Sequence, residues 1–507
     1  MSQPSAAAAR ASGLLLHPTC LPGGHGVGDL GPEAYHFVDF LVAAGQGLWQ
    51  VMPLGPPGFG ASPYAVRSAF AGNPLLISLD RLVEEGLLAP DELADAPTGD
   101  PARLDFPRVE AFKRERLRRA FTRLAGHPEA TARMTAFRAV HAGWLEDYAL
   151  FMALRDAHGG AVWTAWEPAL VRRGPEALAR ARRELAGEIA FHTFVQWLFF
   201  EQWGALRRYA NARGVRIIGD LPIFVAHDSA DVWAHQEIFD LDERGEPATV
   251  AGVPPDAFSA TGQRWGNPVY RWPVLQARGF DWWVARFRAV LEAVDIVRID
   301  HFRGFQAAWH IPAREETAER GTWVETPGRE LFAAVRAALG PFPVIAEDLG
   351  LVTPEVHALR RELGFPGMKV LQFAFGGGAD NPYLPHNHEQ DSAVYTGTHD
   401  NDTTAGWYAT LDERTRDHVR RYLAVDGHDI AWDFIRAALA SVARIAVIPV
   451  QDVLALGSEA RMNYPGRPHG NWSWRLRPGQ LTPAHAARLR ALSELYGRLA
   501  PPPAGEA

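Results

Sequence analysis

Residues 295–304 combine an apolar strand pattern with charged groups that could carry out chemistry. Arg298 and Asp300 lie two positions apart, so in a strand they share a face, while Val297 and Ile299 point the other way. A charged pair at the end of a buried strand is costly unless the two groups serve each other or a ligand. A structural ion pair is the simplest interpretation of this pattern when it is taken alone.

Two later strand patterns also end in acids and favour a catalytic interpretation. The apolar run that begins at Val344 leads to Glu347, and the run that begins at Val394 leads to Asp400. The carboxyl ends of parallel strands meet at one edge of a sheet or one mouth of a barrel. We therefore predict an active site in which Asp300, Glu347 and Asp400 meet at one mouth.

Composition limits the classes of partner and the compartment. The chain has 507 residues and 47% hydrophobic residues, which is typical of a large globular protein, and its formal net charge of −8 argues weakly against nucleic acid and anionic membranes as partners. Cys20 is the only cysteine, which excludes an intramolecular disulfide and suits a reducing compartment. The first residues lack the pattern of a signal peptide, and we expect a cytoplasmic protein without a membrane span.

The alternation of strand and helix patterns predicts an α/β fold, a (β/α)8 TIM barrel over residues 1–507 without a separate C-terminal β domain. No glycine-rich dinucleotide turn follows any strand, which disfavours a doubly wound sheet. We expect an inserted, mostly helical subdomain at 80–187 and an inserted lid at 226–280. Predicted strands include 48–54, 75–79, 215–225, 368–375 and 445–450, and 189–213 is predicted to be a long helix.

Several separate motifs resemble those of amylomaltases, the 4-α-glucanotransferases or disproportionating enzymes of glycoside hydrolase family 77. They are Gly219-Asp-Leu-Pro222, Pro254-Pro-Asp256, Thr261-Gly-Gln-Arg-Trp-Gly-Asn-Pro268, Val297-Arg-Ile-Asp-His-Phe-Arg-Gly304, Ala346-Glu-Asp-Leu-Gly350 and Tyr395-Thr-Gly-Thr-His-Asp-Asn401. The resemblance runs from about Gly13 to Trp474. It implies a retaining transfer of α-1,4-glucan segments from maltooligosaccharides, starch or glycogen to the 4-hydroxyl group of an acceptor.

By this resemblance Asp300 is the nucleophile, Glu347 the acid/base and Asp400 the third carboxylate. Expected substrate-binding residues are Tyr64, Asp220, Asp256, Gln263, Trp265, Asn267, Arg298, His399 and Asn471. In the related α-amylases an Asn that holds calcium follows the first acidic motif. Here Phe224 and Val225 occupy the corresponding positions after Asp220. We therefore expect no metal and no cofactor. Residues 376–380 depart from the family, whose members often carry another acid there.

Structural interpretations remain open for several of these residues. Tyr64 could pin its long loop, Asp220 could anchor the Arg298 guanidinium, and His399 could be a turn residue. His301 and Asp348 are better explained as supporting residues than as catalysts. The 17 tryptophans suit core filling, although aromatic faces also stack on sugar rings, whose axial C–H bonds make one side apolar.

Three functions remain open from the sequence: an α-1,4-glucan transferase, an α-1,4-glucan hydrolase of the same barrel, and a catalytically idle glucan-binding barrel. The presence of both Asp300 and Glu347 argues against the last. Residues 252–268, with Phe258 and Trp265, suit a lid that excludes water and favours transfer. α-1,4-Glucans and maltooligosaccharides are the expected partners, and a monomer or weak homo-oligomer is the expected state.

Overall fold

The computed structural model describes residues 10–256, 259–467 and 469–500. It forms two β-sheets with helices around them. In chain order the strands are β1 (Ala11–Leu15), β2 (Leu48–Gln50), β3 (Arg216–Pro222), β4 (Thr249–Val253), β5 (Gln263–Pro268), β6 (Ile296–Asp300), β7 (Ala307–Pro312), β8 (Thr322–Glu325), β9 (Val344–Ala346), β10 (Gly367–Val370), β11 (Ser392–Tyr395) and β12 (Ile445–Pro449).

The larger sheet is an 8-stranded parallel barrel in the order β10-β11-β12-β1-β2-β3-β6-β9. The first and last strands of the chain pair directly, with Ala11 opposite Ile445. At the remaining seam, between β9 and β10, the amide of Ala346 donates to the carbonyl of Pro366 (2.8 Å). The fold is therefore the expected (β/α)8 barrel, and the carboxyl ends of its strands form one mouth.

Helices surround the barrel and fill the segments between its strands. They are α1 (Pro32–Ala43), α2 (Leu79–Glu84), α3 (Phe106–Arg123), α4 (Pro128–Ala157), α5 (Pro168–Val171), α6 (Pro175–Glu184), α7 (Ala186–Ala212), α8 (Ala230–Ala234), α9 (Trp272–Ala277), α10 (Asp281–Ala293), α11 (Gly328–Leu339), α12 (Pro354–Glu362), α13 (Thr404–Thr410), α14 (Glu413–Leu423), α15 (Ile430–Ala440), α16 (Val450–Val453) and α17 (Pro483–Leu495). No helix among the described residues is long and apolar enough to cross a membrane.

A second, antiparallel sheet covers part of the mouth, in the order β5-β4-β7-β8. It joins the stretch around residues 249–268 to the segment that follows β6, so the same sheet contains the expected lid and the continuation of the strand that ends in Asp300. The sequence predicts a lid over this stretch but not the sheet that forms it. Its polar, glycine- and proline-rich composition hid the pairing, which depends on a distant partner strand.

Several strand predictions need correction. Residues 75–79 are not a strand: Pro74–Leu76 form a 3-10 turn, capped by the Asn73 side chain, which accepts a hydrogen bond from the amide of Leu75 (3.0 Å). Strand β1 was missed because its apolar run is short. The strands predicted at 48–54, 215–225 and 368–375 end earlier, at Gln50, Pro222 and Val370, and Asp400 lies in a loop beyond β11.

Many of the tryptophans fill the core, as one of the two interpretations of their number expects. Six of these side chains are fully buried and belong to the main hydrophobic core: Trp49, Trp163, Trp197, Trp203, Trp233 and Trp283. Trp265 and Trp323 are exposed on the second sheet. The division of the chain into a barrel, an insertion at 80–187 and a lid at 226–280 stays a prediction.

Candidate active site

Arg298 is the buried centre of the charged cluster at the mouth. Its Nη1 donates to Oδ2 of Asp220 (2.6 Å) and to Oδ1 of Asp300 (3.0 Å), and its side chain is only 3% exposed. Burial lowers the pKa of Arg298, but the charges of Asp220 and Asp300 outweigh burial and raise that pKa well above its ordinary value. A buried cation is tolerable here because two carboxylates surround it.

The register of the strands places Glu347 beside Asp300. Ile299 of β6 is opposite Ala346 of β9, so the next residue on each strand is one of the two carboxylates. The amide of Glu347 donates to the carbonyl of Ile299 (3.0 Å), which fixes the two strand ends together. The nucleophile and the proton donor expected from the sequence are therefore neighbours on adjacent strands.

The carboxyl group of Glu347 is held by backbone amides at both oxygens. The amide of His301 donates to Oε2 (2.6 Å) and the amide of Leu349 to Oε1 (3.0 Å). His301 has a left-handed backbone (φ 49°, ψ 51°), which is unusual for a residue other than glycine. This strained turn directly after Asp300 aims an amide at Glu347, a contribution that sequence patterns cannot reveal.

The pKa of Glu347 is raised to about 8, chiefly by burial and further by the charge of Asp300. Arg298 and the two backbone amides act in the opposite direction and lower this pKa. The largest effect is the loss of water around the charged form. Burial likewise raises the pKa of Asp220 to about 6, against the lowering charge of Arg298. Glu347 therefore holds its proton at neutral pH, as a general acid must.

Asp400 lies on the loop after β11, and 45% of its side chain is exposed. Asn463 Nδ2 donates to its Oδ1 (2.6 Å), and Nε2 of His399 lies 3.4 Å from its Oδ2. Arg461 Nη2 donates to the Asp400 carbonyl (2.7 Å). Asn463 was not among the predicted site residues.

Tyr64 connects the two sides of the cluster. Its hydroxyl donates to Oδ2 of Asp220 (2.8 Å), and its ring stacks on His399 with centroids 5.0 Å apart. Burial raises the pKa of Tyr64 well above its ordinary value, and the charges of Asp220, Asp300 and Asp400 raise it further. The half-buried ring of Tyr64 thus feels the charges of three carboxylates, and its hydroxyl ties its loop to the site.

The expected substrate-binding residues on the second sheet lie above this cluster. Trp265 of β5 packs edge-on against the His301 ring (centroids 4.9 Å apart) and donates through Nε1 to Oε1 of Gln263 (3.2 Å). Asn267 Nδ2 donates to the carbonyl of Val225, in the loop after β3 (2.8 Å). Strand β5 therefore lies across the loops that follow both β3 and β6.

Two other expected residues lie outside the charged cluster. Oδ1 of Asp256 accepts from the amide of Ser259 (2.8 Å) in the connection between β4 and β5; Phe258 lies outside the described residues. Asn471 uses both ends of its amide within one turn, accepting from the Tyr464 amide (3.0 Å) and donating to the Arg467 carbonyl (2.8 Å). Asn471 is thus a residue that holds its own loop.

Asp348 has a structural position. Its Oδ1 accepts from the amide of Met368 (2.7 Å), and the Arg360 guanidinium lies 3.0 Å from Oδ2. A Cβ on Gly367 would meet those carboxylate oxygens at 2.6 and 2.8 Å, so glycine is required for this approach. Asp348 therefore ties β9 to β10 at the seam of the barrel.

Comparisons with known proteins identify the family of the chain. The sequence profile of the family described as 4-alpha-glucanotransferase matches residues 16–482. The chain is 56% identical over 500 residues to the 4-alpha-glucanotransferase of Thermus thermophilus (97% of this chain and 99% of that one). It is 52% identical over 495 residues to that of Synechocystis sp. (96% and 98%).

Solved structures give the same result. The amylomaltase from Streptococcus agalactiae in complex with acarbose superposes with a TM-score of 0.94 at 38% identity, covering 96% of this chain and 99% of that one. The amylomaltase from Corynebacterium glutamicum shares the fold, with a TM-score of 0.77 at 19% identity, covering 96% and 75%. The chain belongs to the 4-alpha-glucanotransferase family, glycoside hydrolase family 77.

Proposed function

We propose that this chain is a retaining 4-alpha-glucanotransferase (EC 2.4.1.25) in which Asp300 is the nucleophile and Glu347 the acid/base. Its substrates are α-1,4-glucans: segments leave a maltooligosaccharide, starch or glycogen chain and join the 4-hydroxyl group of another glucan or of glucose. The observation that carries the roles is the half-buried Glu347, with its pKa raised to about 8, beside Asp300 on the adjacent strand.

In the first step an oxygen of Asp300 attacks the anomeric carbon, and the bond from that carbon to the leaving oxygen breaks. The proton of Glu347 moves to the leaving oxygen, which departs as the 4-hydroxyl group of the released chain. In the second step an acceptor hydroxyl attacks the same carbon, its proton returns to Glu347, and the bond to Asp300 breaks. Two displacements at one carbon retain the α configuration.

The charges of the cluster explain how Glu347 changes from acid to base. In the free enzyme the anionic Asp300 raises the pKa of Glu347 and Arg298 lowers it. Once Asp300 carries the sugar as an ester, it is no longer an anion, so its effect on Glu347 disappears while that of Arg298 remains. The pKa of Glu347 then falls, and the carboxylate can accept the proton of the incoming hydroxyl.

Asp400 supplies the third carboxylate, and we assign it to sugar hydroxyl groups. It is nearly half exposed, and Asn463 and His399 fix its two oxygens. A carboxylate held by neighbours in this way loses little conformational entropy when it binds a ligand. Tyr64 and Asp220 position Arg298 and His399 around the reacting sugar.

The second sheet serves as the lid that favours transfer over hydrolysis. Both reactions share the glucosyl-enzyme, so their ratio depends on whether water or a sugar hydroxyl reaches the anomeric carbon. Trp265 packs on the residue directly after the nucleophile, and β7 begins seven residues after Asp300, so lid and nucleophile belong to connected elements. Asp256, Gln263 and Asn267 lie along this lid, where an acceptor chain would pass.

Incubation with maltotriose alone tests the activity. Transfer produces glucose and a ladder of longer maltooligosaccharides, while the total number of reducing ends stays constant. Hydrolysis instead raises the number of reducing ends with every turnover. A steady rise without longer products would contradict the transferase assignment.

Shortening the lid tests its role. Replacing Asp256–Thr261 with a short glycine linker should raise the ratio of hydrolysis to transfer, because water gains access while Asp300 can still be glucosylated. A variant with the same residues replaced by glycine and serine at full length is the matched control. The measurement is the number of reducing ends gained per glucosyl group moved; an unchanged ratio in the folded, shortened variant would exclude this loop from the partition.

We further propose that the protein acts in the cytoplasm as a monomer or weak homo-oligomer. Cys20 is buried and unpaired, and burial raises the pKa of its thiol to about 12, so it is unreactive as well as compatible with a reducing compartment. Light scattering at several protein concentrations checks the oligomeric state.

A further inference from the structure

A cleft of about 340 Å³ lies outside the barrel mouth, between α4, α8 and α10. Its volume is within the range of pockets that bind small ligands. None of the residues assigned above to catalysis, and none of the second sheet, lines it. Phe70, from the loop that also carries Tyr64, forms part of its wall.

The wall of this cleft is aromatic. The ring of Phe70 stacks on Trp144 with centroids 6.4 Å apart and an angle of 17° between the planes. Trp282 meets Phe70 edge-on, at 6.0 Å. Phe70 and Trp144 are half-buried rather than enclosed, so a ligand in the cleft can reach the faces of their rings.

Trp282 adds a polar group without a partner. Its side chain is 4% exposed, and Nε1 has no acceptor among the described residues. A buried donor without an acceptor is destabilising, because it has lost its bond to water. Nε1 is itself shielded, so a ligand oxygen would satisfy it once the indole turns toward the cleft that Trp282 lines.

The charged residues of the cleft disfavour an anionic ligand. They comprise four acids and two bases: Asp147, Asp231, Asp281, Glu292, Arg278 and Arg288. Asp281 bonds Arg278 (2.9 Å), and Asp147 bonds Arg173 (2.7 Å), so part of the charge is already neutralised. Aromatic rings flanked by carboxylates and guanidinium groups suit a neutral ligand with many hydroxyl groups. The C–H faces of such a ligand stack on the rings, and its hydroxyl groups bond to the carboxylates.

One short segment connects the cleft to the active site. Tyr64, at one end, bonds Asp220. At the other end, the amide of Ala69 donates to Oδ2 of Asp231 (2.8 Å), and the amide of Ala230 donates to the carbonyl of Arg67 (2.8 Å). The segment therefore carries one wall of the cleft and one contact of the catalytic cluster.

We infer that this cleft is a second, non-catalytic binding site for a short segment of an α-1,4-glucan. The class of ligand rests on the proposed function; the site itself rests on the aromatic wall, the unpartnered indole and the mixed charges. Such a site would hold part of a long glucan while another part occupies the mouth, which raises the local concentration of chain ends.

Equilibrium dialysis with labelled maltotetraose tests this inference in the Asp300→Asn background, where the ligand is not consumed. We expect at least two binding sites per chain. Gly143→Trp, which fills the cleft from α4, should remove one of them. Gly143→Ala is the matched control and should keep both, because a Cβ at Gly143 meets nothing within 4 Å and alanine suits a helix.

Ala289→Trp fills the cleft from α10 and provides a second blocking variant if Gly143→Trp folds poorly. A single site in the Asp300→Asn background, or an unchanged number of sites in a folded blocking variant, would overturn the second site. The wild-type reaction with maltotriose separates a failure of this inference from a failure of the proposed function. If the enzyme transfers but the Asp300→Asn variant has one binding site, only the second site is overturned. If there is no transfer and no binding, the proposed function is overturned as well.

Discussion

The two ends of the barrel each bury an arginine, and the partners of these two residues differ. At the mouth, Arg298 bonds the carboxylates of Asp220 and Asp300. At the opposite end, Arg498 donates to backbone carbonyls instead, those of Leu439, Ala11, Arg444, Ser441 and Ala443. No carboxylate among the described residues lies within ion-pair distance of Arg498.

This difference separates an arginine that belongs to the candidate active site, Arg298, from one that stabilises the fold, Arg498. The carbonyls around Arg498 come from the start of β1, the segment before β12 and the end of α15, so the guanidinium ties the first and last parts of the barrel together. All of its nitrogens are used, whereas Oδ1 of Asp220 at the mouth has no partner in the described chain. Satisfied neutral acceptors give rigidity, and charged groups with spare bonding capacity leave room for a substrate.

The largest effect should come from Asp300→Asn. The amide cannot form the covalent intermediate, so the transfer rate should fall by roughly 10⁴-fold or more. The fold should persist, because Arg298 keeps its bond to Asp220. The rate of maltotriose disproportionation is the measurement.

Asp295→Asn is the matched control for that change. Asp295 directly precedes β6, at the opposite end from Asp300, and bonds Arg207 (2.7 Å) far from the mouth. Its loss should leave kcat/KM close to the wild-type value. Substantial activity in Asp300→Asn, or equal losses in both variants, would contradict the contrast between the two ends.

Arg498→Leu should have the next largest effect, and on stability. It leaves several buried carbonyls without donors, so the free energy of unfolding should fall by about 4 kcal/mol. The kcat/KM of the folded fraction should not change. Urea unfolding gives the measurement, and Arg490→Leu, an exposed arginine on α17, is the control; equal effects of the two variants would show that the carbonyl cluster contributes nothing special.

A smaller effect concerns pH. Glu347 must hold its proton for the first step, and burial raises its pKa to about 8. Activity should therefore be present below this pKa and be lost as the pH rises through it, with kcat/KM falling about tenfold per pH unit above it. A profile of kcat/KM against pH that stays flat up to pH values well above this pKa would contradict the assignment of Glu347 as the acid.

The sequence could predict the barrel and the meeting of Asp300 and Glu347 at its mouth because both leave local signals. An apolar run with an acid at its end shows the strand, its direction and the position of Asp300 or Glu347. The bonds of Arg498, the amide of His301 and the antiparallel sheet above the mouth leave no such signal, because backbone groups and distant strands form them. Strand ends were also overestimated, since hydrophobicity continues after the hydrogen bonds of the ladder stop.

The central claim is that Asp300 carries the sugar while Glu347 moves the proton. Glu347→Gln incubated with α-glucosyl fluoride tests it directly, because fluoride leaves without protonation and the variant lacks the base for the second step. Peptide mass spectrometry should then find a glucosyl group that accumulates on Asp300. No adduct, or an adduct on another residue, would contradict the account.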